Sequence, residues 1–492
     1  MLNRNPKAGV FTNSGWGLSA FTDDDLQTIH AASLELFQDV GVKIENEKAA
    51  EIFLSSSCKA EKKEDYWIVK IPPFIVEDCI RSAPHQVVLK GRTPDYDYSV
   101  DPKRVSFTTF GELTKIIDLD TREIRQTTQK DAADIARLCD SIDEIKIIHR
   151  PVGSFDKPFG THPIYNAQAL FANTGKHINI GPINELNLRT IAKMNAVHVG
   201  GMDQLAERTI FTTIICPSSP LRLEKEAADM VIASAEIDGC GIVAHPVPLA
   251  GGTNPITLAG MAINQNVEAL IALILAQLVR KGTRTMFGTV STVMDMRTMT
   301  TPFGAPEMGM LSAAAVKMAQ YYGLPSIVPG SHSDSKVLDP QIGYESAIGG
   351  LLSALAGANF VYGLGTLEDA LTFDYAKFMM DVEMAKMVTH IIGGIRFTHE
   401  QMALDATREV GPGGDFLSSN HTLEHMRDYF QPSLFDRNTR DTWEALEVKD
   451  LNERAYAAAK QRLESHVPEA PSEDVQKQII EIIDEYHAET GI

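Results

Sequence analysis

Three histidines, His149, His245 and His332, each lie at or near the end of a short β-rich run, in IKIIHRPVG (145–153), CGIVAHPVPLAGG (240–252) and LPSIVPGSH (324–332). A neutral imidazole at such a position can ligate a metal, act as a general base or hydrogen-bond a neighbouring loop. The spacing does not favour a metal set: there is no H-x-H unit, and the HTLEH that holds His421 and His425 lacks the residues of H-E-x-x-H. Ends of other runs add Phe110, Glu112, Arg150, Cys216 and Tyr362. The loop GSHSDSKVLDPQIGYES (330–346) concentrates His332, Asp334, Lys336, Asp339 and Tyr344, a density of polar groups that in a loop points to function. The Met-rich loop STVMDMRTMTTPFGAPEMGM (291–310) carries Arg297, Phe303 and Glu307 and suits adaptable packing, a lid or a docking surface. The aromatic side chains nearby (Phe107, Phe110, Phe155, Tyr362, Phe373 and Tyr375) are suited to a tetraalkylammonium ion, which donates no hydrogen bonds and is held by π-faces and carboxylates.

These residues need a scaffold that brings strand ends together. Besides the three histidine runs, RVSFTTFG (104–111), HINIGPI (177–183), RTIFTTIICP (208–217), RTMFGTV (284–290) and NFVYGLGTL (359–367) are short and β-rich, which makes eight in all. Helical patterns alternate with them, such as 131–142 with Ala132, Ile135, Leu138 and Ile142 in step, and 266–280. Apolar strands separated by helices predict a parallel sheet covered on both faces, and eight such units close most simply into an α/β (β/α)8 TIM barrel with its site at the carboxyl ends of the strands. The alternative is an open doubly wound sheet, but no G-x-G-x-x-G follows the first strand. We expect an N-terminal α/β subdomain over 1–100 packed on the barrel, the barrel over 101–395, and a C-terminal helical extension over 396–492. The first helix is expected to start at Thr22, with Asp25 completing a capping box, and to stop at Gly41.

Composition narrows the function. The chain has 492 residues and 45 Lys+Arg against 65 Asp+Glu, a net charge of −20 that repels nucleic acid and anionic membranes. Its five cysteines form no C-x-x-C pair or disulfide framework. MLNRNPKAGVF lacks the apolar core of a signal peptide, and no uncharged apolar run approaches the roughly 18 residues that span a bilayer. A cytoplasmic protein is expected.

Three long stretches carry a family resemblance: LAGGTNPITLAGMAINQNVEALIALILAQL (249–278), TTPFGAPEMGMLSAAAVKMAQYYGLPSIVPGSHSDSKVLDPQIGYESA (300–347) and VGPGGDFLSSNHTLEHMRDYFQPSLFDR (410–437). The chain resembles the trimethylamine methyltransferase family over about residues 22–465. The resemblance implies a (β/α)8 barrel that transfers a methyl group from a methylamine or quaternary amine to the cobalt(I) of a separate cognate corrinoid protein. The cobalamin is then carried by that partner, and this chain binds no cofactor tightly and no metal. Founding members of the family use pyrrolysine near the end of the seventh strand. Only standard residues occur here through 324–347, with the equivalent position between Pro329 and Lys336. That departure points to the non-pyrrolysine branch, which includes glycine betaine methyltransferase and relatives acting on proline betaine, carnitine and butyrobetaine. On this reading His332 and Asp334 are the catalytic candidates. Phe110, Glu112, His149, His245, Arg297, Lys336, Tyr344 and Phe373 are the substrate-binding candidates, with Arg297, His332 and Lys336 as anchors for a substrate carboxylate. A homo-oligomer is expected. The competing readings are a metal-dependent barrel hydrolase or lyase and a non-catalytic binder of quaternary amines.

Overall fold

Each of the eight β-rich runs forms a parallel strand in the computed structural model, which describes residues 17–18, 20–446 and 448–492. The amino-terminal segment read above for a signal peptide lies outside the described residues. The strands are β1 (Ser106–Thr108), β2 (Ile147–His149), β3 (His177–Ile180), β4 (Phe211–Ile215), β5 (Gly241–Ala244), β6 (Thr285–Gly288), β7 (Ser326–Pro329) and β8 (Phe360–Tyr362). Hydrogen bonds link neighbours in order from β2 to β8, β8 pairs with β1, and a parallel bridge between Phe107 and Ile145 joins β1 to the β2 run and closes the ring. Every residue of these strands is buried, as expected of strands covered on both faces.

Each strand is followed by a helix: α1 (Gln129–Asp140), α2 (His162–Asn173), α3 (Glu185–Val199), α4 (Lys225–Glu236), α5 (Leu258–Val279), α6 (Pro306–Tyr321), α7 (Pro340–Ala356) and α8 (Tyr375–Ile392). Their starts have local causes. Thr128 and Asp131 form a capping box on α1, Asn184, Asp339 and Asp374 cap α3, α7 and α8, and proline occupies the first turn of α2, α6 and α7.

Helix α5 is long and apolar enough to cross a membrane, but 72% of its most apolar window is buried inside the protein. Its one charged residue, Glu268, is buried too and accepts hydrogen bonds from Ser219 Oγ (2.7 Å), the Leu221 amide (3.0 Å) and Asn254 Nδ2 (3.2 Å). Burial pushes its carboxyl up to about 7 against these bonds. The folded state therefore holds this proton more tightly than the unfolded chain does, so the associated stability is present at low pH and is lost as pH rises through about 7. Glu268→Gln should gain stability relative to the native protein by about 3 kcal/mol between pH 5 and 8, measured as the difference between paired melting curves. A difference independent of pH would contradict this.

The N-terminal region does more than pack on the outside. A hairpin of Val87–Leu89 and Tyr98–Val100 joins the barrel interior in one cluster with Ile147, Ile214, Val243, Met286, Ile327 and Phe360. His177, at the start of β3, pairs through Nδ1 with the Lys90 carbonyl at 2.9 Å, so the hairpin plugs the amino end of the barrel. A four-stranded sheet runs Arg222–Leu223, Val42–Ile44, Trp67–Lys70, Lys59–Lys62, and its first strand belongs to the β4–α4 loop. The first helix, Asp23–Glu35, has the expected Thr22 capping box. A wider π-helical turn over Leu36–Val40 follows it, and Val40 is left exposed.

At the other end of the chain, helix Leu451–Ser465 lies on α8 and α1, and helix Glu473–Thr490 lies on α3 and α2. Buried polar contacts fasten both: Tyr456 Oη donates to Asp374 Oδ2 at 2.6 Å, and Asn187 Nδ2 donates to Tyr486 Oη at 2.9 Å. Between α8 and these helices, three short helices occur among the described residues, Leu404–Val410, Asn420–His425 and Arg440–Ala445.

Candidate active site

The last residue of β8, Tyr362, is completely buried, and its Oη donates to the Thr289 carbonyl at 2.7 Å. Rings from other strand ends surround it. Phe110, beyond β1, stacks at 5.1 Å and 13°, and His149, ending β2, stacks at 5.6 Å and 6°. His245, beyond β5, meets it edge-on at 5.0 Å, and His332, beyond β7, does so at 5.5 Å and 85°. Phe303, from the loop after β6, completes the group at 5.4 Å from His332 and 6.2 Å from Phe110. Six aromatic rings contributed by six of the eight strand ends thus meet at the carboxyl end of the barrel. Cys216, just after β4, keeps accessible surface although much of its surroundings is protein.

The imidazoles are neutral. Burial holds His149 and His332 well below the ordinary histidine range and pushes His245 down to about 3; the Arg150 charge adds to this at His149 and His245, and the Lys377 charge at His332. His149 Nδ1 lies 3.2 Å from Asn179 Nδ2, whereas His245 Nε2 and both ring nitrogens of His332 have no protein partner. Burial also raises the Tyr362 hydroxyl and the Cys216 thiol, which stay protonated. These neutral rings offer π-faces and open nitrogens, and none of the three imidazoles is a ready acid at neutral pH. Among the described residues, no three His, Cys, Asp or Glu side chains are grouped as a metal would need.

Charged groups frame the rings. Arg150 Nη1 donates to Glu112 Oε2 at 2.8 Å and to the Gly181 carbonyl at 3.1 Å, and Asn166 Nδ2 donates to Glu112 Oε1 at 2.9 Å. Asp334 accepts from the amides of Phe303 (2.8 Å) and Gly304 (2.9 Å), which ties Phe303 over the rings. Burial, followed by Asp369, raises the Asp334 carboxyl. Beneath His332, fully buried Lys377 donates to Asp381 Oδ2 (2.5 Å), the Ser331 carbonyl (2.9 Å) and Ser346 Oγ (3.1 Å). Gly363 runs so close to His332 that a Cβ would lie 2.5 Å from Nδ1, and its φ of +120° suits glycine alone.

The structure brings together Phe110, His149, His245 and His332, with Glu112 and Asp334 at the periphery. Four other expected residues are placed elsewhere. The Arg297 side chain is 88% exposed and is bound to Asp295 across a tight turn. Tyr344 is 70% exposed because it lies on the outer face of α7. The Lys336 Nζ turns back to the Asp334 carbonyl at 2.6 Å and lines a groove with Ile117, Arg122 and Tyr456. Phe373 is buried against Tyr375 and Phe378 rather than at the mouth. The sequence reading also passed over Lys377, Asp381 and Asn166, all inward-facing on helices. The one available signal was the charged pair at i, i+4 inside the Met-rich helix YAKFMMDVEMAKMV.

Comparison with known proteins bears on this geometry. Residues 6–491 match the family model described as trimethylamine methyltransferase (MTTB). A trimethylamine methyltransferase MttB of Desulfitobacterium hafniense (strain DSM 10664 / DCB-2) is 42% identical over 486 residues, covering 99% of this chain and 97% of its own. A glycine betaine methyltransferase of D. hafniense (strain Y51) is 31% identical over 476 residues, covering 96% of this chain and 97% of its own. Among solved structures, that of the hydroxylamine MtmB complex superposes over 93% of this chain and 97% of its own, with a TM-score of 0.50 and 13% identity, a likeness of fold.

Proposed function

Because this chain belongs to the trimethylamine methyltransferase family, we propose that it moves a methyl group from a quaternary amine, foremost glycine betaine, to the cobalt(I) of a cognate corrinoid protein. The observation that carries this reading is the group of six rings around Tyr362, with all three imidazoles held neutral.

The chemistry matches such a pocket. Cobalt(I) attacks a methyl carbon in line with the C–N bond. A Co–C bond forms, the C–N electron pair stays on nitrogen, and cobalt ends formally as cobalt(III). A quaternary ammonium leaves as a neutral tertiary amine, dimethylglycine when the substrate is glycine betaine, and needs no proton. Trimethylamine gives up a methyl group readily only when protonated, so that dimethylamine leaves, which calls for an acid. Of the two nearby carboxyls, Glu112 is committed to Arg150 and Asn166, and Asp334, although burial pushes it up to about 7, turns its oxygens to the Phe303 and Gly304 amides. The seventh strand end supplies His332 and other standard residues, which also favours a quaternary substrate. What these residues contribute is orientation, exclusion of water and π-faces toward a cation whose charge fades as the methyl group departs. We assign His332 and Phe110 to that wall, and Asp334 to positioning Phe303.

The acceptor has to approach from the open end of the barrel. Strand-to-helix loops there expose Phe159, Ile183, Ile256, Met296, Met299 and Val337, an apolar rim suited to a protein partner. Cobalt(I) also needs a reducing compartment, and all five cysteines are free thiols, in keeping with a cytoplasmic site of action. The test is to mix the protein with glycine betaine and cob(I)alamin held reduced by titanium(III), and to follow absorption. Methylcob(III)alamin should form only when protein and betaine are both present. Its absence, or equal formation without protein, would contradict the proposal.

A further inference from the structure

We propose that Arg150 is the specificity-determining residue of this site and holds a carboxylate of the substrate, so that a zwitterionic quaternary amine is taken in preference to a simple cation. The inference rests on the methyl-transfer reading above and narrows its substrate class.

It follows first from the balance of charge. Although the whole chain carries −20, its ring-lined mouth has almost no net charge. The three imidazoles are neutral, Tyr362 and Cys216 keep their protons, Glu112 is cancelled by Arg150, and burial favours the protonated form of Asp334 at the periphery. A bare tetraalkylammonium entering this space would lose its water and find only π-faces in return. A betaine brings its own negative charge, so its total charge matches that of the pocket, provided a cation receives the carboxylate.

Among the described residues, one cation is placed to do so. Arg297 points to solvent and pairs with Asp295, Lys336 folds back on the Asp334 carbonyl, and Lys377 lies beneath His332 in its own ion pair. Arg150 begins at the end of β2, and its guanidinium crosses the rim to lie over Gly181, where a Cβ would come within 1.8 Å of Nη1. It follows His149 directly in the chain and its side chain is 19% exposed, which places it beside the ring group rather than on the outer surface. The two bonds it makes with good geometry both run through Nη1, and its buried Nε has no partner. Glu112, itself fixed by Asn166, holds the guanidinium extended before any ligand arrives. A preorganised guanidinium with a donor still unpaired, beside a cation cage, is the complement of a trimethylammonium group with a carboxylate one or a few carbons away.

The test compares three methyl donors in the cob(I)alamin assay: glycine betaine, its primary amide, which keeps the trimethylammonium group and size but lacks the carboxylate, and tetramethylammonium. The native protein should prefer betaine to the amide by about 100-fold in kcat/KM. Arg150→Met should erase that preference by raising the KM for betaine about 100-fold, with kcat and the constants for the amide little changed. Gly181→Ala, which displaces the guanidinium without removing its charge, should act in the same direction, and Arg150→Lys should restore part of the preference. The proposal is overturned if the native protein uses betaine and amide equally well, or if Arg150→Met weakens all three donors alike. In either case methyl transfer itself would stand. Failure of all three donors to yield methylcobalamin would instead remove the underlying function, and this proposal with it.

Discussion

Tyr362→Ala is expected to lower kcat/KM for methyl transfer by about 30-fold, because the rings that would face the cation pack on this completely buried one, and displacing a desolvated π-face costs about 2 kcal/mol. The loss should exceed that of any other ring in the group, since Phe110, His149, His245 and His332 all pack directly on this one. Truncating so large a buried side chain should also cost about 3–5 kcal/mol of folding stability. Activity has therefore to be measured below the melting transition of the variant. Tyr362→Phe separates the two roles. It keeps the ring and loses only the bond to the Thr289 carbonyl, a change of about 1 kcal/mol, so its kcat/KM should stay within a few-fold of native. If the phenylalanine variant is as inactive as the alanine one, the hydroxyl rather than the ring matters, and the cage reading fails.

Lys377→Met is expected to destabilise the protein by about 3–5 kcal/mol, read from denaturant unfolding. The ammonium and Asp381 are buried together, and removing one partner leaves the other charge without compensation. Burial already works against both, lowering the Lys377 ammonium and raising the Asp381 carboxyl, so the pair is maintained by their contact and by Ser331, Ser346 and the Gly365 amide. Lys377→Met combined with Asp381→Leu should recover most of the stability, because two apolar side chains leave no orphan charge. It should not recover full methyl transfer, since the Ser331 carbonyl beside His332 would still lack its donor. A double variant no more stable than the single one would contradict the account of the pair.

How far these features can be read from the sequence depends on whether they are local. The eight strands are legible because burial on both faces forces unbroken apolar runs, and each run ends at a polar or aromatic residue that the barrel then turns toward its mouth. Phe110, His149, His245 and His332 are found in this way. Arg297 and Lys336 belong to loops, and nothing in their local sequence indicates that Asp295 and the Asp334 carbonyl capture them. Phe373 looks like a strand-end aromatic, but it lies in a second strand, Thr372–Asp374, that pairs with Lys115–Ile117 in a collar above the barrel. That collar, with its hairpin partner Ile124–Gln126, was hidden because three-residue strands carry too little periodicity to stand out from a loop. Arg150 is visible as a residue at a strand end, but its role depends on Gly181 and Glu112, 31 and 38 positions away in sequence, leaving it the space and the partner it uses.

The central claim, that this barrel carries a methyl group from a quaternary amine to cobalt, is tested most directly by isotopic balance in a single reaction. Glycine betaine bearing three CD3 groups, incubated with the protein and excess cob(I)alamin, should yield CD3-cobalamin and hexadeuterated dimethylglycine in a one-to-one ratio, the amine taking its proton from solvent only after the methyl group has left. Loss of betaine without labelled cobalamin, or labelled cobalamin without matching dimethylglycine, would contradict it.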